Sequence, residues 1–599
     1  MGFKEGVLPE VDPATFMDRP YLDRIKTTSR FWAENGFGTP KMLPLIYIVK
    51  VLVLHIGIGV TIATLTSGFG VFDIGSWWNQ PIVYQKLIMW TVLLEALGLA
   101  GSWGPLAGHF APMTSGFKCW LRPETIRLPP WPDHVPFTEG DRRTVFDVLV
   151  YAGVLVTTAL TLFWPKVELE NFNTVVGHGP DNPVALVNPV LFWPLLVLLV
   201  VYGLRDKVGF VATRPEQYMP AMVFFAIAPQ LGLVDLIIAL KLLIVIVWLG
   251  AGISKIGKHF GKVIPPMISN APWMPSKALK RAHYRSFPED LQPSGLAHFM
   301  AHGLGTFVEI VIPLVLLFTT SPTIALIGVL VMVAFHLFIL STFPLAVPLE
   351  WNALFAYGTV FLFLGFGNNE GFSVFDAQHV PAIILIVAGL LFFPILGNLR
   401  PDLVSFLPSM RQYAGNWASA QWAIKPEAEK KLEQHVVRPS PNIITQLQKA
   451  GYPEDVAEVV LSLTTGWRSM HSQGPGLMSV LLNEIGENER DYRFREAEFA
   501  CNSIIAFNFG DGHFHNEDLI RALQRRCNFE PGEFLVAWVE SQPIHKNYQE
   551  YKLIDAALGV IERGTWQVKD SADSQPWLPD GLVPRNVTWR RDATVEATR

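Results

Sequence analysis

Six ionisable residues fall within or at the end of stretches otherwise apolar enough to lie in lipid: Glu95, Asp235, Lys241, Lys255, Glu309 and His336. A charge in hydrocarbon is expensive, so such residues face a protein interior, pair with one another, or mark a substrate, ion or proton path. At about 100° per residue, Lys241, Gly252 and Lys255 share one face of a helix through 232–253, because fourteen residues return to within about 40°. A glycine on that face leaves room for a ligand or for a second backbone. A helix that begins after Ser294 as its N-cap places His298, His302 and Glu309 on one polar stripe, since spacings of four, seven and eleven return to one face.

The chemistry open to these types is limited. A desolvated lysine can be neutral near pH 7 and act as a base. A helical HxxxH pair can hold one metal ion, but Glu309 stands about 10 Å further along the axis than His302, so a metal would need ligands from other helices and none is assigned. Plain structural readings stand beside the functional ones. Lys255, with Lys258 and Lys262, fits a cytoplasmic helix end whose lysines snorkel. His298 and His302 fit hydrogen-bonded packed histidines, and Glu95 and Glu309 fit interhelical partners. Lys50 and His55 fit interfacial or core positions. The HFH run at 513–515 after Asp511 fits a polar turn ahead of a helix capped near Asn516.

The elements that must position these groups are apolar helices. Half of the 599 residues are hydrophobic and 17% are charged, against about 25% in ordinary soluble domains. Residues 401–599 hold 48 of the 99 charged residues, so the rest of the chain is membrane-like and this part is soluble-like. One crossing needs about 20 apolar residues. About ten candidates lie near 43–66, 83–103, 145–165, 186–204, 217–229, 232–253, 303–320, 322–341, 351–366 and 380–397, the fifth a short stretch ending at Pro229 that suits a half-crossing. The expected fold is all-α: a polytopic helical membrane protein of about ten crossings with a C-terminal soluble helical domain. Its parts are an N-terminal flank 1–42, membrane helices 43–204 and 205–400, a helical domain 401–570 and an irregular tail 571–599.

Loop charges give the orientation. Lys4, Arg19, Arg24, Lys26, Arg30 and Lys41 precede the first crossing, and Lys118, Arg122, Arg127, Arg142 and Arg143 fill the second loop. Lys262, Lys277, Lys280, Arg281 and Arg285 follow the sixth crossing, whereas VFDIGSWWNQ has neither Lys nor Arg. Both termini are therefore expected in the cytoplasm of a cell membrane, with GNNEGFSVFD outside. The first apolar segment starts too late for a usual cleavable signal. In the soluble part, IKPEAEKKLEQHV, EDVAEVVLSLTTGWRSM and NEDLIRALQRRC have amphipathic helical spacing. Net charge of -5 without a basic block excludes nucleic-acid binding. Cys119, Cys501 and Cys527 form neither a disulfide framework nor a CxxC zinc site, and no GxxxxGK[ST] or GxGxxG cradle is present.

WLGAGISKIGKHF with Lys255, then Trp273, then TFVEIVIPLVLLF with Glu309 and Pro313, then VAFHLFI with His336, resemble the membrane domain shared by vitamin K-dependent gamma-carboxylase and its bacterial relatives. The likeness covers about residues 205–400, and the layout of the whole chain is similar to a bacterial family of multi-pass proteins without assigned function. The resemblance implies that Lys255, closing an AG-x-x-K pattern, deprotonates a quinol, and that Glu309 and His336 orient it or relay a proton. Two departures stand out: the carboxylases act on the lumenal side, and their large lumenal region is missing here. The expected function is a membrane enzyme acting on a quinone-like or lipid substrate, with Lys255, Glu309 and His336 catalytic and His298, His302, Lys241 and Trp273 lining the pocket. A quinone or hydroquinone is the cofactor class implied. The alternatives are lipid binding or transport without bond-breaking chemistry, and a scaffold whose C-terminal domain binds a protein partner. Membrane lipids are partners in each case. A desaturase-type iron enzyme needs several histidine boxes, and one HxxxH pair is present.

Overall fold

The computed structural model describes residues 6–99, 116–169, 184–342, 349–404, 418–506, 514 and 516–592. His513, His515 and Asp511 of the HFH run, and residues 100–103 of the second expected crossing, lie outside them.

Residues Tyr21–Asn35 form α1, whose buried positions Tyr21, Arg24, Ile25, Thr28, Ser29 and Trp32 recur at helical spacing and whose end is set by Gly36 at φ 61°. The membrane helices follow: α2 (Met42–Leu65), α3 (Pro81–Ala96), α4 (Val145–Phe163), α5 (Phe192–Arg205), α6 (Pro215–Ala226), α7 (Ala228–Ser254), α8 (Gly295–Phe318), α9 (Pro322–Ser341), α10 (Leu349–Phe363) and α11 (Val380–Leu399). A helix stands at each of the ten expected stretches. Six of them, α2, α4, α7, α8, α9 and α11, are long and apolar enough to cross a membrane, and the other four are shorter. Nearly every residue of α3 and the middle of α7 is buried, so these two form the centre of the bundle. The other long helices keep apolar residues such as Leu52, Phe307, Leu330 and Leu385 exposed, as a lipid-facing surface does. Chain direction turns between α6 and α7, and α7 itself bends at Gly232, where φ is 74°.

The all-α expectation is corrected by the C-terminal domain. Its three expected helices are present, at Pro426–His435, Glu454–Met470 (α12) and Glu517–Cys527. They accompany a six-stranded antiparallel sheet of β1 (Ser419–Ile424), β2 (Arg493–Glu496), β3 (Phe534–Val539), β4 (Tyr548–Asp555), β5 (Gly559–Gln567) and β6 (Asn586–Arg590), in the order β6-β5-β4-β3-β1-β2. The internal strands β1 and β3 are buried on both faces, so they carry no polar and apolar alternation to betray them. A further helix, α13 (Gly474–Ile485), packs on β1 and β3. The segment expected as a tail supplies β6 and a docked turn before it.

This domain gathers the three basic segments that loop charges assign to one side. The face of α1 lies on α12, with Ser29 Oγ 3.1 Å from the Gly466 carbonyl and Tyr21 stacked on Phe494 at 3.7 Å. The loop after α7 joins them: Trp32 Nε1–H donates to the Pro266 carbonyl at 3.0 Å, and the Phe37 amide donates to Asn270. The same loop meets the chain end through Lys262 to the Ser574 carbonyl at 2.7 Å, the Leu291 amide to Gln575, and Trp577 to the Glu289 carbonyl. Asp141 of the second loop pairs with Arg525 and Arg526. At the far end of the bundle, Asn368 donates to the carbonyls of Leu316, Leu317 and Thr319 that close α8.

Two outcomes follow. Because α8 separates the Asn368 end from the end held by the C-terminal domain, cysteines placed at the exposed positions Glu370 and Asp580 should react with an impermeant reagent from opposite faces of sealed vesicles. Labelling of both from one face would break this arrangement. Burial pushes the Lys262 ammonium down from its usual value near 10.5 to about 7. Between those values the unfolded chain binds a proton that the folded chain does not, so stability should rise with pH across that window and the penalty should be constant below it. Accordingly, the Tm of Lys262→Met relative to wild type should fall as pH rises from about 7 to about 10. A pH-independent difference would contradict the assignment.

Candidate functional site

The last turns of α7 and the middle of α8 touch backbone to backbone at Gly252. A Cβ there would stand 2.7 Å from Ile310 Cγ1 and 3.1 Å from Glu309 Cβ, so the room foreseen at this glycine is taken by the neighbouring helix. Pro313 lies four residues after Glu309 and offers no N–H, which leaves the Glu309 carbonyl without its intrahelical donor. The start of α8 is wound as a π-helix over Phe299–Gly305, a rare form that recurs at functional sites.

This packing brings the Lys255 ammonium onto the Glu309 carboxylate as an ion pair, with both residues buried. The walls are apolar: the rings of Phe260 and Phe335 lie 5.7 and 5.8 Å from Nζ. No other hydrogen-bond acceptor among the described residues reaches this ammonium. His302 donates Nδ1–H to the Lys255 carbonyl at 3.0 Å, since a carbonyl can only accept, and its Nε2 keeps the lone pair when the ring is neutral. The exposed His298 ring lies parallel to that of His302, 5.9 Å between centroids at 14°.

His336 is buried beside this cluster, its ring 6.0 Å from that of Phe335. Trp248 Nε1–H donates to His336 Nε2 at 3.0 Å, which makes Nδ1 the protonated nitrogen, 3.0 Å from Asn352 Oδ1. Both nitrogens are thus engaged, and the ring pins α7, α9 and α10 together.

Of the predicted site residues, the structure joins Lys255, Glu309, His302 and His298, with His336 adjoining. Two stand apart. Lys241 lies about 21 Å along α7 from Lys255, where its ammonium donates to the Phe366 carbonyl, Asn368 Oδ1 and the Phe372 carbonyl at 2.7, 2.7 and 2.8 Å. Trp273 is 42% exposed and packs on Phe338 at 6.0 Å. The remaining intramembrane charges serve as ties: Glu95 Oε2 lies 3.7 Å from Arg214, and Asp235 accepts from the backbone amides of Gln378 and His379. Among the described residues no group of three or more His, Cys, Asp or Glu side chains gathers as metal ligands. Sequence reasoning missed Trp248, Phe260, Phe335 and Asn352. Trp248 was reachable, because it precedes Lys255 by seven residues, two turns on one face.

A buried lysine and carboxylate within apolar walls can exist as ions or, after one proton moves, as amine and acid. The low dielectric narrows the gap between these states, which makes the pair an acid and base at once. Breaking such a pair should be more harmful than removing it. Lys255→Met and Glu309→Leu singly should each destabilise by about 3–5 kcal/mol, and the double variant should recover most of the loss. Additive losses in a denaturation cycle would show that the two groups are uncoupled.

The chain was compared with protein families, curated proteins and solved structures. No curated protein and no solved structure matches, and none of the comparisons links the chain to gamma-carboxylase. The extent of the family match leaves little of the chain outside it, and the apolar helices described above agree with it. The chain belongs to a family of transmembrane proteins of unknown function (DUF3556), whose model matches residues 1–588.

Proposed function

We propose that the protein is an integral membrane enzyme that acts on a quinone-like or lipid substrate, with Lys255 as base and Glu309 as its proton partner. One contrast carries the reading. The Lys241 ammonium has three oxygen acceptors, a full complement, whereas among the described residues the Lys255 ammonium has Glu309 alone and faces two aromatic rings. A buried ammonium with unclaimed N–H groups is unfavourable unless a ligand oxygen completes it.

In this scheme Lys255 passes its proton to Glu309, and the neutral amine then takes the proton of a substrate hydroxyl. The resulting ammonium remains beside the oxyanion it has produced. The apolar rings of Phe260 and Phe335 beside that pair weaken its screening. His302 holds the end of α7 through the Lys255 carbonyl, and His336 fixes the helices around it. The likeness to the gamma-carboxylase membrane domain supports the same choice of base. The location that goes with this reading is a cell membrane, with both termini cytoplasmic and membrane lipids as partners.

A second reading, lipid binding or transport without bond-breaking chemistry, or a scaffold with a partner-binding C-terminal domain, is favoured by the engaged state of Lys241 and His336. Mass spectrometry of small molecules retained by gently purified protein separates the two. A quinone or prenylated phenol held by wild type and lost, at least about tenfold, from both Lys255→Met and Glu309→Gln is the expected result. Ordinary lipids held equally by all three proteins would sink the enzyme reading.

A further inference from the structure

Below the ion pair, three imidazoles stand on one turn and one helix face. His298 is exposed and makes no hydrogen bond to the described residues. Its ring rests on Gly261, where a Cβ would approach it to 2.7 Å, and lies parallel to the ring of His302. His302 spends Nδ1–H on the Lys255 carbonyl and keeps Nε2 open. His259, in the short turn Lys258–Lys262, is 1% exposed and neither ring nitrogen has a partner among the described residues. It lies near enough to His302 for their charges to interact, and burial holds its ring neutral, pushing it down to about 4. Phe260, the next residue, faces both His302 at 6.3 Å and the Lys255 ammonium.

A buried imidazole whose nitrogens find no protein group requires water or a ligand there. Neutral imidazole can take a proton on one nitrogen while releasing another from the second, so a string of such rings bridged by water carries protons. We propose that His298, His302 and His259 form a hydrated proton path that links the Lys255–Glu309 pair to solvent on the side of the C-terminal domain. At His298 and His259 one proton enters on one nitrogen and another leaves from the second; at His302, whose Nδ1–H stays on the Lys255 carbonyl, Nε2 takes a proton from one water and releases it to the next. The net event is one proton moved between water at His298 and the buried pair, with no change of oxidation state. The path rests on the reading of that pair as an acid and base.

The test uses full-length, 15N-lysine-labelled protein in lipid nanodiscs, with the Lys255 Nζ resonance assigned by its loss in Lys255→Met. Exchange of its protons is followed after transfer to deuterated buffer. His302→Gln keeps a donor for the Lys255 carbonyl but cannot relay, and His298→Gln changes an exposed residue that packing tolerates. Both should slow exchange at least about tenfold while the Nζ shift stays in place. Exchange as fast as wild type in both variants overturns the path. Failure of the underlying reading has another signature: an Nζ shift that never moves across neutral pH or with added hydroquinone, whatever the exchange rates. A wild-type Lys255 that does not exchange at all overturns both.

Discussion

An ammonium cannot stay in hydrocarbon without an oxygen to meet it, and this constraint organises the bundle around α7. The helix and the residue that caps it carry three ionisable groups, and each fixes a different neighbour. Asp235 accepts from the Gln378 and His379 amides just before α11, Lys241 gathers the 366–372 loop onto itself, and Lys255 pairs with α8. With α7 nearly sheathed in protein, these contacts set its depth and rotation, and through them the position of three other elements. Gly252 makes the last one feasible, because only a residue without a side chain lets the α8 backbone come near enough for Glu309 to reach the lysine.

The same economy joins membrane and soluble parts. The turn Lys258–Lys262 leaves α7 just below the ion pair, supplies Phe260 as a wall of the site, and reaches the chain end through Lys262 and Ser574. On the other side, α1 packs between that loop and α12, where Arg468 is buried against Glu496. Breaking that buried pair would leave a charge unmet in a core shared by α1, α12 and β2, so the membrane site rests on a rigid base rather than on a tethered domain.

Periodicity made the helices legible. The apolar stretches, the stripe of His298, His302 and Glu309, and the face shared by Gly252 and Lys255 were all written in residue spacing. Three things were hidden for physical reasons. The strands β1 and β3 are apolar on both faces and so resemble buried helix. The π-helical winding of Phe299–Gly305 has no sequence mark, because it is set by packing. The acceptors of Lys241 are mostly backbone carbonyls of a distant loop, which no side-chain pattern announces, so a lysine clamped by the fold looked the same as one held for a substrate.

Counting donors sets the two lysines apart. Ammonium has three N–H groups, and a purely structural lysine in a dry interior should have three acceptors, as Lys241 does. Among the described residues Lys255 has one acceptor and two ring faces, and rings attract a cation without satisfying its hydrogens directionally. If its role were only to tie α7 to α8, two packed apolar side chains would do so without the desolvation that an ion pair entails. A half-met charge at this helix end, whose own carbonyl is held by an imidazole with an open nitrogen, is the feature on which the proposal of proton exchange at Lys255 rests.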